Sequence, residues 1–198
     1  MKIAITGSGG IGKTTLVNAL SKQLGLPVIH EEMQPVLKAL SVLHTTVADP
    51  EKHRQSQVNY VKACEKWLQN RDKAQTQDSF VSDRCAIDLL SRWLTSGVYR
   101  EDDKLLLNIV TICKRLCNGL DLIVMPPLLQ FEEVPANNEA GLSRQKSLVL
   151  KLQSHAMTRG LLDQLVNTPK LYLPPEAVTL EVRIELVMQA LKHLGKLQ

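Results

Sequence analysis

The sequence has no apolar run long enough to cross a lipid bilayer. A membrane-spanning helix needs about 20 consecutive apolar residues, and the best run, residues 120–127, is only as long as a strand. The first apolar stretch stops after Ile5 and gives way to glycines and Lys13, so it does not have the form of a signal peptide. We therefore expect no membrane association and a cytoplasmic location.

The sequence also lacks the marks of a metal-binding or nucleic-acid-binding protein. No pair of its four cysteines has the C-x-x-C spacing of a zinc site, so we expect reduced, partly buried thiols. The net charge is only +4 and no block of Lys or Arg stands out, which argues against nucleic acid as a partner. These cysteines are Cys64, Cys85, Cys113 and Cys117.

No internal repeat, linker or low-complexity segment interrupts the chain of 198 residues. The apolar fraction of 44% and charged fraction of 22% are those of an ordinary globular protein. Both observations predict a single domain over residues 1–198.

Five short apolar runs alternate with helical patterns. Because none of these runs has a polar face, they predict an α/β fold with a five-stranded parallel sheet covered by helices on both faces. Ligands of such sheets lie at the carboxyl ends of the strands. The runs are residues 2–6, 27–30, 79–82, 120–125 and 170–173.

A glycine-rich loop follows the first run and matches G-x-x-x-x-G-K-[ST], the P-loop. In a P-loop the backbone N–H groups converge on phosphate oxygens, Lys13 reaches the β- and γ-phosphates, and the Thr14 hydroxyl binds Mg²⁺. The motif therefore predicts a P-loop NTPase fold in three layers that binds ATP and Mg²⁺. The predicted binding residues are Gly7, Ser8, Gly9, Gly10, Ile11, Gly12, Lys13, Thr14 and Thr15.

The same loop also satisfies G-x-G-x-x-G, the fingerprint of dinucleotide-binding proteins, with Glu31 lying 19 residues beyond Gly12. Such domains place an acid about 20 residues on, where it binds a ribose hydroxyl. The Lys13-Thr14 pair favours the P-loop because a dinucleotide site has no use for a lysine there. A Rossmann oxidoreductase remains the remote alternative.

Asp83-Arg84 comes at the tip of the third apolar run. An acid at this position in a P-loop protein orders the magnesium ion, so Asp83 is predicted as the second metal residue beside Thr14. Two structural alternatives stay open. Asp83 could simply cap the next helix, and Arg84 could form a surface salt bridge with Asp88.

The order of these motifs resembles that of P-loop kinases acting on nucleosides and nucleotides. Most similar are the small AAA-like ATPase/kinase domains that include the ribosylnicotinamide kinase domain of the bacterial NadR proteins. Thymidylate and deoxynucleoside kinases are similar through a comparable Asp-Arg or Glu-Arg pair. The resemblance implies ATP-dependent phosphoryl transfer to a small molecule such as a nucleoside, a nucleotide or a ribosylnicotinamide-like compound.

The resemblance also implies roles for particular residues. Either Glu31 or Glu32 would lie near the acceptor hydroxyl, Arg84 would hold substrate or a phosphate oxygen, and Arg144 would belong to a cationic lid at about residues 130–145. The helical segment at about 35–77 would complete the acceptor pocket. Within it, Tyr60 and Trp67 share a helix face. Packing in the core explains this pair more simply than stacking on a base of the substrate does.

Other classes of P-loop protein fit less well. A regulatory GTPase would need Asn-Lys-x-Asp and Asp-x-x-Gly runs, and neither occurs. An AAA+ motor would need an Asp-Glu pair where Asp83-Arg84 stands, and a separate helical lid domain. A non-catalytic ATP-binding regulatory module stays open as the alternative, and so does the oligomeric state.

Overall fold

The computed structural model describes residues 1–30, 33–96, 103–128 and 148–197. Within these residues short strands alternate with helices from one end of the chain to the other. They are β1 Lys2–Ile5, α1 Lys13–Leu24, β2 Val28–Ile29, α2 Gln34–Thr45, α3 Pro50–Ala74, β3 Phe80–Asp83, α4 Ala86–Ser96, α5 Asp103–Asn118, β4 Leu122–Met125, α6 Leu148–Leu165, β5 Lys170–Tyr172 and α7 Leu180–His193.

The strands form a five-stranded sheet in the order β2-β3-β1-β4-β5, and every pair is parallel. The predicted parallel α/β sheet is therefore confirmed. In its register, Ile5 at the end of β1 lies beside Asp83 on one neighbour and Val124 on the other. The glycine loop that follows the central strand β1 therefore begins next to Asp83, at the edge of the sheet formed by the carboxyl ends of the strands.

The sheet separates two apolar cores, one on each face. Alternate residues of β1 take opposite sides because side chains in a strand alternate: Ile3 and Ile5 pack with α1 and α7, whereas Ala4 packs with the helices of the other face. The second core contains buried residues of α2 to α6. Helix layers on both faces of the sheet make the three-layer fold that the P-loop motif predicts.

Two predicted element boundaries differ in outcome. The Asp49-Pro50-Glu51 run predicts a helix start with Asp49 as its cap, and this is confirmed, since Asp49 Oδ1 accepts a hydrogen bond from Lys52 N at 3.2 Å and Pro50 begins α3. The sequence predicts a turn at Pro174-Pro175 and the last helix from Glu176, but the predicted start of this helix is wrong. It begins at Leu180, because residues 174–178 form turns and Thr179 accepts the hydrogen bond of Val182 N at 3.4 Å.

The cysteines and aromatic residues belong to the core. All four cysteines are free and buried, and no group of three or more His, Cys, Asp or Glu in the described ranges could hold a metal ion. Tyr60 is fully buried and stacks on Trp93 with 5.5 Å between ring centroids, and Trp67 is also buried. Core packing is therefore the role of Tyr60 and Trp67. No helix in the described part of the chain combines the length and apolar character of a membrane span.

Candidate phosphate-binding site

The glycine loop occupies the gap between β1 and the first residue of α1, Lys13. Its backbone needs glycine at Gly7, where φ is +115° and a Cβ would lie only 2.9 Å from Ile11 Cδ1. Ser8 and Ile11 are buried, whereas Gly10 and Gly12 are at the surface. The loop therefore exposes Gly10 and Gly12 at the N-terminus of a helix, which is where anions bind, while Gly7 is buried.

Lys13 is folded back over this loop. Its Nζ donates a hydrogen bond to Ser8 O at 2.6 Å, and the side chain is buried. Burial lowers the pKa of Lys13 to about 8, with a further lowering from the Arg84 charge that Asp88 and Asp83 partly offset. An anion that binds beside Lys13 would stabilise its buried positive charge.

Thr14 and Asp83 meet at the start of α1. Thr14 Oγ1 donates to Asp83 Oδ2 at 2.5 Å, while Asp83 Oδ1 is buried and has no hydrogen-bond partner among the described residues. Neither oxygen bonds a backbone N–H of α4, so helix capping does not explain Asp83. A hydroxyl and a carboxylate with a spare oxygen form the kind of oxygen pair that Mg²⁺ prefers.

Arg84 has a strained backbone that several neighbours hold in place. Its φ of +90° is rare for a residue with a side chain. The N–H of Arg84 donates to Ile5 O at 2.7 Å, and its carbonyl accepts hydrogen bonds from Arg71 Nη2 and from Ser82 Oγ. Bonds from β1, α3 and β3 therefore fix the point where the chain turns from β3 toward α4.

The partner of the Arg84 side chain is Asp88, at 3.3 Å between Nη1 and Oδ1. This pair is not a surface salt bridge, because only 4% of the Asp88 side chain is exposed. Asp88 also accepts hydrogen bonds from Thr6 Oγ1 at 2.6 Å, Gly7 N at 3.3 Å and Cys85 N at 2.9 Å. One carboxylate thus ties the entrance of the glycine loop to the Asp83-Arg84 turn.

The opposite face of the sheet supports the loop through Arg183 of α7. Its Nη1 donates to Ile11 O at 2.9 Å and its Nε to Ala177 O at 2.8 Å, and the residue is only 4% exposed. The guanidinium lies so close to Gly12 that a Cβ there would be 2.9 Å from Nη1. Sequence reasoning missed Arg183 because no local pattern links it to a loop 172 residues away.

The model of a family described as an AAA domain matches residues 2–166. This chain belongs to that AAA domain family. The match spans the glycine loop, the Asp83-Arg84 turn and four of the five strands. The expected AAA-like P-loop character is therefore confirmed. No curated protein sequence matches this AAA domain.

Solved structures of similar fold include two kinases and a protein that binds a guanine nucleotide. Deoxyadenosine kinase from M. mycoides is 17% identical, with a TM-score of 0.61 over 98% of this AAA domain and 100% of that chain. Thymidylate kinase from Candida albicans is 16% identical, with a TM-score of 0.58 over 98% and 92%. The YorR protein of Bacillus subtilis is 12% identical, with a TM-score of 0.52 over 96% of each. At these identities the likeness establishes the fold.

The AAA domain brings most of the sequence-predicted residues to one edge of its sheet. The glycine loop, Asp83 and Arg84 converge there. Asp88, which the sequence offered only as a salt-bridge partner of Arg84, and Arg183, which the sequence prediction did not include, join them. The other predicted residues lie outside the described residues. They are Glu31, Glu32, Arg144 and the lid at about 130–145.

Proposed function

We propose that this chain transfers a phosphoryl group from ATP, with Mg²⁺, to a hydroxyl or phosphate group of a small molecule. The observation that carries the proposal is the meeting of Thr14 and Asp83 beside Lys13 at the N-terminus of α1. A hydroxyl, a carboxylate and a buried amine around a glycine loop are what a site for Mg²⁺ and a triphosphate requires.

The residues present fit a magnesium ion. Asp83 Oδ1 is buried without a hydrogen-bond partner among the described residues, and a buried carboxylate oxygen is costly until something binds it. Thr14 Oγ1 has lone pairs left for a cation while its O–H donates a hydrogen bond to Asp83 Oδ2. When bound, Mg²⁺ would neutralise charge on the phosphates that develops during transfer.

The loop would supply the rest of the donor site. The N–H groups of residues 7–15 would bind phosphate oxygens, and Lys13 would move its hydrogen bond from Ser8 O to a β- or γ-phosphate oxygen. Arg84 uses Nη1 on Asp88, which leaves other guanidinium N–H groups to bind a phosphate oxygen or the acceptor. The loop N–H groups, Lys13 and Arg84 would then stabilise the phosphoryl group during transfer, because their charges and dipoles are already in place.

The acceptor is proposed to be a nucleoside, a nucleotide or a ribosylnicotinamide-like compound. The proteins of similar fold support this class, since the M. mycoides kinase holds the product dCMP together with dCDP and the YorR protein holds phosphorylated GDP. Within the proposal, Glu31 or Glu32 lies near the acceptor group, Arg144 acts from the lid, and residues 35–77 complete the pocket of a single domain.

An acceptor screen tests the proposal. The protein is incubated with MgATP and a library of nucleosides, nucleoside monophosphates and ribosylnicotinamide, and ADP and phosphorylated product are quantified together. We expect one class of acceptor to raise ATP consumption well above the rate without acceptor, and to yield one product molecule per ADP. Glu31→Gln or Glu32→Gln should abolish this stimulation and leave ATP binding intact, whereas Glu181→Gln on the exposed side of α7 should have no effect.

Two results would oppose the proposal. ATP binding without any phosphorylated product across the library would favour a non-catalytic ATP-binding module. Normal stimulation in both the Glu31→Gln and Glu32→Gln variants would remove the glutamates from the acceptor site.

A further inference from the structure

Helix α6 presents two basic residues, one turn apart, to the glycine loop. A Cβ placed on Gly7 would lie 3.6 Å from His155 Nδ1, and a Cβ placed on Gly10 would lie 3.8 Å from Lys151 Nζ. Residues four apart share one face of a helix, so these two side chains reach along the loop together. Helix α4 holds α6 in this position, with Ser91 Oγ donating to Ser154 O at 3.4 Å.

Both side chains have hydrogen-bonding capacity to spare. His155 Nδ1 is buried and has no hydrogen-bond partner among the described residues. Lys151 forms no ion pair with any carboxylate in the described ranges. A buried ring nitrogen with no partner is destabilising, so a position that keeps one at a binding loop indicates a ligand that completes it.

The β- and γ-phosphates of a nucleotide bound in the loop would lie within reach of His155 and Lys151. Lys13 Nζ lies against Ser8 O, and the lysine of a P-loop serves the β- and γ-phosphates. The terminal phosphate would therefore lie beside the half of the loop that contains Ser8. His155 and Lys151 approach this half, at Gly7 and Gly10, from the direction of α6.

We propose that His155 through Nδ1 and Lys151 through Nζ bind the terminal phosphate of the nucleotide, opposite Lys13. This assignment rests on the proposed function, because it requires a triphosphate in the loop. Helix α6, which packs beside α4, would then form a second wall of the phosphate site. Each residue would form a charge-assisted hydrogen bond to a phosphate oxygen.

The charge of the site is compatible with this role. Burial lowers the pKa of His155, and the positive charges of Arg159 and Lys13 lower it further, so the site favours the neutral form of the ring. A neutral imidazole has one N–H donor and therefore binds a phosphate oxygen without adding a further cation to the site before the ligand arrives.

The affinities of MgATP and MgADP, measured by calorimetry, test the assignment. His155→Leu and Lys151→Met should each weaken MgATP binding about tenfold, the effect of one lost charge-assisted contact, and change MgADP binding less than twofold. Asn places an amide where Nδ1 stands, and Gln places it where Nε2 stands. His155→Asn should therefore restore part of the MgATP affinity, and His155→Gln should not.

Two controls separate contact from folding. Gln153→Leu changes an exposed residue of the same helix and should leave both affinities unchanged. Melting curves identify any variant that fails to fold, and Lys151→Met, whose side chain is only half-buried, then carries the test alone.

The outcomes distinguish the two proposals. If His155→Leu and Lys151→Met keep the ratio of MgATP to MgADP affinity of the original protein, while Lys13→Ala still weakens MgATP binding, the assignment to α6 is wrong and the proposed function stands. If the original protein binds neither nucleotide, the proposed function fails and the assignment fails with it.

Discussion

The polar groups at the two ends of the sheet differ in whether their hydrogen bonds are satisfied within the protein. At the amino end, Asp121 uses both oxygens: Oδ2 accepts Lys2 N at 2.7 Å and Oδ1 accepts Lys196 Nζ at 2.7 Å. At the carboxyl end, Asp83 Oδ1, Ser8 Oγ and His155 Nδ1 are buried and have no hydrogen-bond partner in the described part of the chain. Both oxygens of Asp121 are satisfied within the protein, whereas these three atoms are not satisfied by any described residue.

This difference separates a structural end from a binding end. An unsatisfied buried polar atom reduces stability by about 1–3 kcal/mol, so three of them gathered around one loop indicate a ligand that completes them. The carboxyl end adds the strained φ of Arg84 and the lowered pKa of Lys13, features that cluster at functional sites. Asp83 and Asp121 therefore make a natural pair for testing the contrast.

The largest expected effect comes from Asp83→Asn. The amide keeps the size of the side chain and can still accept the Thr14 hydrogen bond, but it loses the charge that would bind Mg²⁺. We expect turnover with the acceptor found in the screen to fall about 100-fold, the effect of losing one preorganised electrostatic group, while ATP binding falls much less. Steady-state kinetics and calorimetry measure the two effects.

Asp121→Asn is the matched change at the other end of the sheet. It should leave turnover unaltered and reduce the free energy of unfolding by about 1 kcal/mol, since Asp121 is partly exposed. Near-normal turnover in Asp83→Asn, or a strong loss of turnover in Asp121→Asn, would break the distinction between the two ends.

Arg183→Met tests whether the loop depends on support from the α7 face. The change leaves the carbonyls of Ile11 and Ala177 without their donors, so the loop loses part of its preorganisation. We expect MgATP affinity to fall about tenfold, or about 1.4 kcal/mol, and the melting temperature to fall as well. Gln189→Ala, an exposed change on the same helix, should alter neither. Unchanged affinity would mean that the loop holds its shape without Arg183.

A smaller effect concerns the proton of Lys13. Its pKa of about 8 means that about half of the amines are neutral at pH 8. Bound phosphates favour the charged form and raise this pKa, so MgATP binding should take up about half a proton at pH 8 and very little at pH 6.5. Calorimetry in two buffers of different ionisation enthalpy measures the uptake, and Lys13→Met should abolish it. Equal uptake in that variant would assign the proton to another group.

The same pKa has a consequence for stability without nucleotide. Below pH 8 Lys13 is charged in both the folded and the unfolded chain, and the folded state carries the cost of burying that charge. Between pH 8 and the unfolded pKa of 10.5 only the unfolded chain keeps the proton. The contribution of Lys13 therefore favours folding more as the pH rises through 8, and Lys13→Met should remove this trend from melting curves.

The smallest effect is expected at the amino end, from Lys196→Met. The Lys196–Asp121 pair lies near the surface, where an ion pair contributes less than about 1 kcal/mol. Unfolding in denaturant should show a small loss of stability that disappears at high salt, with MgATP affinity unchanged. A change in affinity would show that the two ends are coupled.

The sequence predicted the features that are local and periodic. The five strands, the glycine loop and the Asp83-Arg84 turn each have a signal in adjacent residues, and the parallel sheet brings them together because carboxyl ends share one edge. Arg183, His155 and the loop contacts of Asp88 were missed for the converse reason. Their contacts with the loop join residues far apart in the chain, and an acid, an arginine or a histidine within a helix has no local mark of such a contact.

The start of α7 shows a different kind of error. Glu176 follows two prolines and favours a helix, but Thr179 supplies the cap and the helix begins one residue later. A side-chain cap outweighed the general preference of the preceding residues. Identifying Thr179 as the cap, followed by Glu181 in the first turn, would have given the correct boundary.

Titration of the protein with MgATP and with NADH, with Lys13→Ala alongside, tests most directly that the carboxyl-end edge is a phosphate site. The account predicts one MgATP per chain, weaker binding when Mg²⁺ is removed, and binding at least tenfold weaker in Lys13→Ala, about 1.4 kcal/mol. It also predicts that NADH binds more weakly than MgATP. Tighter binding of NADH, or MgATP affinity that Lys13→Ala leaves unchanged, would contradict it.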